Sequence, residues 1–337
     1  MTEEEILRRR MHGLYLSRPC DGLSALAHAL LGMHCWFHRN VVFSALIRGA
    51  ELSGWKAELT KTWLYRGTLH GVSDPDLPDL LALHPLEEPL SEFEREVLRY
   101  MEDGVFSRRE FRQLFADRFD ESFLARAFSP WGGVFVGLAR RGLVAFRDMT
   151  SRDFDLISAE PTQTRDAVLP GLLRRYFSSY GPATLADAAW FFGLANDAAQ
   201  KLHEIVSEDD FLRFQHGSCT YYLCGDNRDM ADIPEITLLS GFDPLIVSYI
   251  DRSAVLPAEY RHNVILKSGI CLPTIAIHGR IAGVWNIKQD KPMVEFFVKQ
   301  PKRLENAAYD LVESMRWQTR RCLASSCQMG NVPKGFF

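Results

Sequence analysis

No Cys-x-x-Cys pair occurs in this chain, although it holds seven cysteines, an odd number, at 20, 35, 219, 224, 271, 322 and 327. A structural zinc site needs closer ligand spacing and a second pair. The expectation is therefore free thiols in a reducing compartment, with no metal and no cofactor. No apolar run reaches the roughly 18–20 residues that span a bilayer. The acidic start Met-Thr-Glu-Glu-Glu-Ile lacks the apolar core of a signal peptide. A cytoplasmic protein with no membrane contact is expected. An excess of positive charge is also missing: 39 Lys and Arg stand against 43 Asp and Glu, a net charge of −4. A nucleic-acid partner then requires a local basic surface rather than a basic chain. No acidic residue lies between Asp21 and Glu51, so that stretch offers no carboxylate base. No repeat of fixed period is present.

What is present is ordinary globular composition, 47% hydrophobic and 24% charged, enough for two or more cores. Residues 4–16, 21–31 and 41–52 carry apolar positions in helical period. The stretch 61–72 then reads as two short strands joined at Arg66-Gly67, with Arg66 and His70 near the tip. Three helices and a hairpin make a winged-helix order. Ser91-Glu-Phe-Glu94 and Ser107-Arg-Arg-Glu110 are capping boxes that open a second unit, which ends in a strand at 143–146 and a polar wing at 148–152. A third unit has helices at 167–178, 184–192 and 197–206 and a hairpin around His216-Gly217-Ser218. Its last helix carries one lysine against two acids. That is a poor reader of base edges and suggests scaffold rather than a sequence-specific regulator.

From 236 on the pattern switches to short strands at 236–239, 245–249, 263–266, 274–277, 280–285 and 293–298. A helix at 303–316 follows. The expected fold class is α+β: three tandem winged-helix units at 1–88, 89–160 and 161–232, a small β-barrel-like domain at 233–320, and a tail at 321–337.

Four stretches carry a family likeness. They are Trp63-x-x-Arg66-Gly67-Thr68-Leu69-His70, the run 180–187, the run 239–245 with Asp251-Arg252, and 272–274 through 278–285. Together, in this order, the chain resembles the AlkZ-like winged-helix DNA glycosylases. The resemblance implies a curved basic channel for duplex DNA and hydrolysis of the N-glycosidic bond of alkylated purines, bulky adducts and, in some members, interstrand crosslinks included. It implies no metal and no cofactor. The family's catalytic Gln-hydrophobic-Gln motif falls on His34-Cys35-Trp36. His in the first place has precedent in the family, and Trp in the second departs from it. Phe37 and His38 stand where Asp-Pro is usual.

The reaction needs a group that orients water without bringing a cation, because the transition state is oxocarbenium-like. Neutral His34 can accept from water through a ring nitrogen. A protonated ring would repel the substrate, so activity should fall below about pH 6.5. Trp36 offers only an indole donor, with a face that can stabilise a cation. His38 is a second candidate acceptor. From the residues alone, packing in the core is the competing role for His34 and Trp36, and a turn role competes for Asp243. The expected DNA contacts are Arg39, Arg66 and His70 in the first unit, with Arg252, Arg261, His262, Lys267 and Arg280 near strand turns of the last domain. The stretch 261–272 is the candidate hairpin for the minor groove. A monomer acting on double-stranded DNA with alkylated bases is expected, with a binding protein that has lost hydrolysis as the alternative.

Overall fold

The computed structural model describes residues 1–194, 198–208, 211–225 and 230–325. The expected helix cap at Asn196 lies outside them. Helix α1 (Glu3–Gly13) opens with a capping box between Thr2 and Glu5. Then come α2 (Leu23–Ala29), the two-residue strand β1 (Met33–His34), α3 (His38–Ile47), β2 (Thr60–Trp63) and β3 (Leu69–Val72). The β2–β3 turn contains Arg66 and Gly67, both in the left-handed region at φ 58° and 62°. Helix α4 (Leu77–Ala82) was not expected from the proline-rich run 75–89. Pro78 sits in its first turn, where a missing N–H costs nothing.

The second set of elements is α5 (Glu92–Glu102), α6 (Arg108–Leu114), α7 (Glu121–Ala127), α8 (Val134–Arg140), β4 (Val144–Phe146) and β5 (Phe154–Leu156). Ser91 and Ser107 make the capping boxes their spacing predicts. The third set is α9 (Arg165–Ser179), α10 (Leu185–Phe192), α11 (Ala198–Glu208), β6 (Phe211–His216) and β7 (Cys219–Cys224). Thr184 and Asp187 form a further capping box on α10.

The first two sets share one five-stranded sheet, ordered β1-β3-β2-β4-β5, in which Lys61 pairs with Phe146. Strand β3 lies inside this sheet and all four of its residues are buried. Lys61 is buried as well, with Nζ donating to Met149 O at 3.2 Å. One hydrophobic core runs continuously from α1 through the second and third sets.

The last set corrects the sequence reading in three places. The run expected as a strand at 245–249 is helix α12 (Pro244–Val247), capped by Asp243 with Pro244 in its first turn. The run at 263–266 is α13 (Arg261–Val264) followed by a tight turn. Strands β8 (Ile236–Leu239), β9 (Thr274–Ile277), β10 (Arg280–Lys288) and β11 (Lys291–Phe296) form an open antiparallel sheet, order β11-β10-β9-β8, rather than a barrel. Four strands are too few to close. Helix α14 (Lys302–Ser325) instead covers one face, burying Ala308, Val312 and Met315 against Ile275, Trp285 and Phe43. This helix was expected to stop at 316, ahead of a tail from 321. It runs on because 317–325 contains neither Gly nor Pro.

Candidate functional site

The segment 30–34 is held first by its own helix end, where Leu31 N donates to His28 O and Gly32 N to Ala27 O, and then by distant side chains. Leu31 and Gly32 have φ of 55° and 98°. A left-handed leucine costs about 1–2 kcal/mol. Two buried tyrosines offset that cost: Tyr180 Oη donates to Leu30 O at 2.7 Å and Tyr65 Oη donates to Leu31 O. Tyr249 Oη in turn donates to Tyr180 O at 2.8 Å. Strand β1 then pairs with β3, His34 opposite His70.

His34 is half-buried. Its ring stacks on Phe242, with centroids 4.0 Å apart and planes 12° apart, and meets His70 edge-on at 5.8 Å. Its Nδ1 is buried and makes no hydrogen bond within the protein. A cavity of about 10 Å³ touches His34, Asn40, Ser44, Ser240 and Phe242, a space fit for one water. Asn40 Nδ2 is buried there without a protein partner as well. Burial first, and the Arg66 charge second, push the His34 pKa down to about 4. The ring is therefore neutral at physiological pH and below. If His34 is the group that must stay neutral, the acid loss is expected well below pH 6.5.

Phe242 is placed by a buried ion pair. Arg48 Nη2 donates to Asp243 Oδ1 and Oδ2 at 3.0 and 3.1 Å, and both side chains are 0% exposed. Arg48 also donates to Leu14 O and Ser44 Oγ, while Asp243 accepts from the amides of Ser240 and Leu245. Asp243 is thus a cap and a tether, and every direction around it is occupied. Gly241 has no room for a side chain, since a Cβ would come within 2.8 Å of Asn40 Oδ1.

The other motif residues point elsewhere. Trp36 stacks on Trp131, at 5.2 Å and 15°, and Trp131 is 71% exposed. His38 lies against Trp55, at 6.2 Å, and burial, then Lys61, Arg39 and Lys56, lower its pKa. The ring partners of Trp36 and His38 are thus Trp131 and Trp55, whereas those of His34 are His70 and Phe242. Arg39 donates to Ile287 O at 3.4 Å and lies over Phe43, which makes it a tie between α3 and β10 more than a free cation. His70 is 4% exposed and its Nδ1 donates to Thr68 O at 3.1 Å. It cannot reach a phosphate; it packs the back of the His34 ring.

Three of the expected DNA contacts do converge. Arg66 lies 5.4 Å from the Trp190 ring centre, and its charge is felt at both His34 and Arg252. Arg252, half-buried with Nε on Tyr249 O, lies near Arg261. Burial, then the neighbouring arginines, pull its pKa down. Like charges gathered in this way favour an anionic partner. The stretch 261–272 closes as a small hairpin: Leu266 N donates to Ile270 O and Leu272 N to Val264 O. Residues 266–269 at its tip, Lys267 among them, are exposed, as is His262 on α13. Arg280 is exposed at the start of β10, next to a turn that packs on Leu7 and Met11.

A family model described as "DNA glycosylase AlkZ-like" matches residues 56–315. The chain belongs to the AlkZ-like DNA glycosylase family. An interstrand DNA cross-link repair glycosylase of Streptomyces sahachiroi is 25% identical over 271 residues, covering 71% of this chain and 73% of the relative. The solved structure of the Streptomyces sahachiroi DNA glycosylase AlkZ superposes with a TM-score of 0.74 at 22% identity, covering 93% of this chain and 97% of that one. The fold is therefore the AlkZ fold. The AlkZ-like match takes in Arg66, Trp190, Asp243, Arg252 and Arg261, whereas His34-Cys35-Trp36 precedes it.

Sequence reasoning missed Phe242, Asn40, Tyr65, Tyr180 and Trp190 as parts of this AlkZ-like site. Tyr65, Tyr180 and Phe242 lie in stretches that carry the family likeness, but no chemistry of their own singles them out, and Asn40 and Trp190 lie outside those stretches. Asp243-Pro244 was the one available signal, since that dipeptide caps a helix and so fixes the residue before it. Among the described residues no three His, Cys, Asp or Glu side chains gather where they could hold a metal ion, and no helix is long and apolar enough to cross a membrane.

Proposed function

We propose that this chain is a DNA glycosylase that hydrolyses the N-glycosidic bond of N7-alkylated purines in duplex DNA, bulky adducts and interstrand crosslinks included, working as a cytoplasmic monomer without metal or cofactor. The observation that carries the reading is a neutral imidazole with an unengaged ring nitrogen beside a water-sized cavity, next to an arginine cluster. An N7-alkylated guanine already bears positive charge, so it leaves without strong acid help. The remaining task is to present water to a cationic sugar. His34 accepts one water proton in a hydrogen bond and takes it as the C–O bond forms. Phe242 and His70 fix the ring plane. Arg66, Arg252 and Arg261 hold phosphates, which positions the duplex without reading its sequence.

The test is release of N7-methylguanine from alkylated duplex by the wild type and by His34→Ala. The variant should lose about 10²–10⁴-fold, the range of a positioned general base. Equal rates would remove His34 from the mechanism.

A second reading, binding without hydrolysis on the same scaffold, is favoured by one observation. By the resemblance Trp36 stands where the family has its second Gln, and it stacks on Trp131 and offers no acceptor. Tight, salt-sensitive binding with no base release at any pH would select it.

A further inference from the structure

A cavity of about 320 Å³ opens between α10 and the loop that follows α12, bounded by Trp190, Ile250, Asp251, Arg252, Leu256 and Arg261. That volume is at the small end for sites that take organic ligands, about 300–1,000 Å³. Its walls differ in chemistry. Trp190 is 44% exposed and Ile250 57% exposed, although both are large and apolar. Arg252 and Arg261 bring two guanidinium groups. Asp251 brings an exposed carboxylate, whose Oδ1 accepts from the Ser253 amide at 2.9 Å with acceptor capacity to spare. That hydrogen bond holds the Asp251 pKa down, so the group is an anion. The loop is also pinned: Ile250 N donates to Asp187 Oδ1 at 2.8 Å, and Asp187 belongs to the capping box of α10. Trp190 is held in turn by the neighbouring Arg66.

An aromatic wall, two cations and one carboxylate ask for a ligand with a flat π-face, an anionic group and an N–H edge. A nucleotide has all three. The carboxylate discriminates among bases, because guanine alone shows two adjacent N–H donors on its pairing edge, and that edge is available only when the base is unpaired. We propose that this pocket receives an unpaired guanine nucleotide of DNA, with the base stacked on Trp190, its N–H edge on Asp251 and its flanking phosphates on Arg252 and Arg261. The proposal rests on DNA being the substrate, as above, and not on the hydrolytic step. Arg66, whose charge acts on His34, lies beside the Trp190 wall of this pocket.

Duplexes with a single bulged dG, a bulged dA or a bulged abasic site test this by fluorescence anisotropy with the full chain. The wild type should bind the dG bulge about tenfold to a hundredfold more tightly than the abasic bulge, as stacking of one base on an aromatic ring supplies. Trp190→Ala should erase that preference and Trp190→Phe should keep part of it. Asp251→Asn should level dG with dA. Arg261→Gln should weaken all three duplexes alike and make the salt dependence shallower. Equal wild-type affinity for the dG and abasic bulges overturns the proposal, as does a preference that survives in a folded Trp190→Ala. A dG-over-dA preference that survives in Asp251→Asn overturns the role given to the carboxylate. Base release is scored separately on alkylated duplex. A wild type that keeps the dG preference but releases no base removes hydrolysis and leaves the pocket standing. One that releases base without the preference removes the pocket alone.

Discussion

Replacing His34 by Gln separates the two things the imidazole does, accepting a hydrogen bond and taking a proton. Burial and the nearby Arg66 lower the pKa of the ring from its ordinary 6.5 to about 4. That drop corresponds to about 3 kcal/mol of preference for the neutral form. Wild-type base release should therefore be level from neutral pH down to about pH 5 and half lost near pH 4. His34→Gln keeps an acceptor and has no proton to gain, so its acid limb should vanish or move lower. The sign for stability is the same. Between pH 6.5 and about 4 the unfolded chain protonates this residue first, so the wild type loses stability as pH falls through that window. Removing the histidine removes that share, and acid unfolding of His34→Gln should begin at lower pH. The assay is single-turnover release of N7-methylguanine across pH 4–8, with near-UV circular dichroism at each pH to confirm folding. A wild-type limb centred near 6.5 would refute the burial argument. Coincident limbs in wild type and variant would show that another group titrates.

Two further outcomes follow from contacts around the ring. Asp243→Ala strands the Arg48 guanidinium at 0% exposure, so urea denaturation should show a loss of about 3–5 kcal/mol. Arg66→Gln should weaken binding to alkylated and ordinary duplex alike and reduce the slope of log affinity against log salt by about one, as loss of a single phosphate contact does. If affinity instead falls only for alkylated DNA, Arg66 reads the lesion and not the backbone.

Local signals in the sequence were good guides to local structure. The three capping boxes at 91, 107 and 184 open helices at their predicted places. The 60–72 hairpin pairs around Arg66-Gly67 as its turn chemistry demands. Short apolar runs misled, because 245–249 and 263–266 fit strand and helix equally well and only the caps decide between them. His70 could not be placed from alternation. All four residues of its strand are buried, so alternation carries no signal there. Arginine pairs were the other blind spot. Arg10, in the run Arg8-Arg9-Arg10, sits on Tyr249 at 3.8 Å and donates to Pro182 O at 2.8 Å, contacts that the run itself does not announce. The candidate site suffered most from this limit. His34, Arg66, Arg252 and Arg261 could be nominated one by one, but the rings that orient His34, His70 and Phe242, stand 36 and 208 residues away.

The three tyrosine hydroxyls that meet the backbone at 30, 31 and 180 come from β3's hairpin, α9 and α12's trailing end. The backbone bonds of Leu31 and Gly32 to α2 are local, whereas Tyr180 and the Phe242 ring against His34 come from far along the chain. The first ninety residues made alone lack Phe242 and Tyr180, so the imidazole should lose its shelf. The machinery is consequently indivisible: cutting between its parts, or inserting a flexible joint there, disarms the ring without touching it.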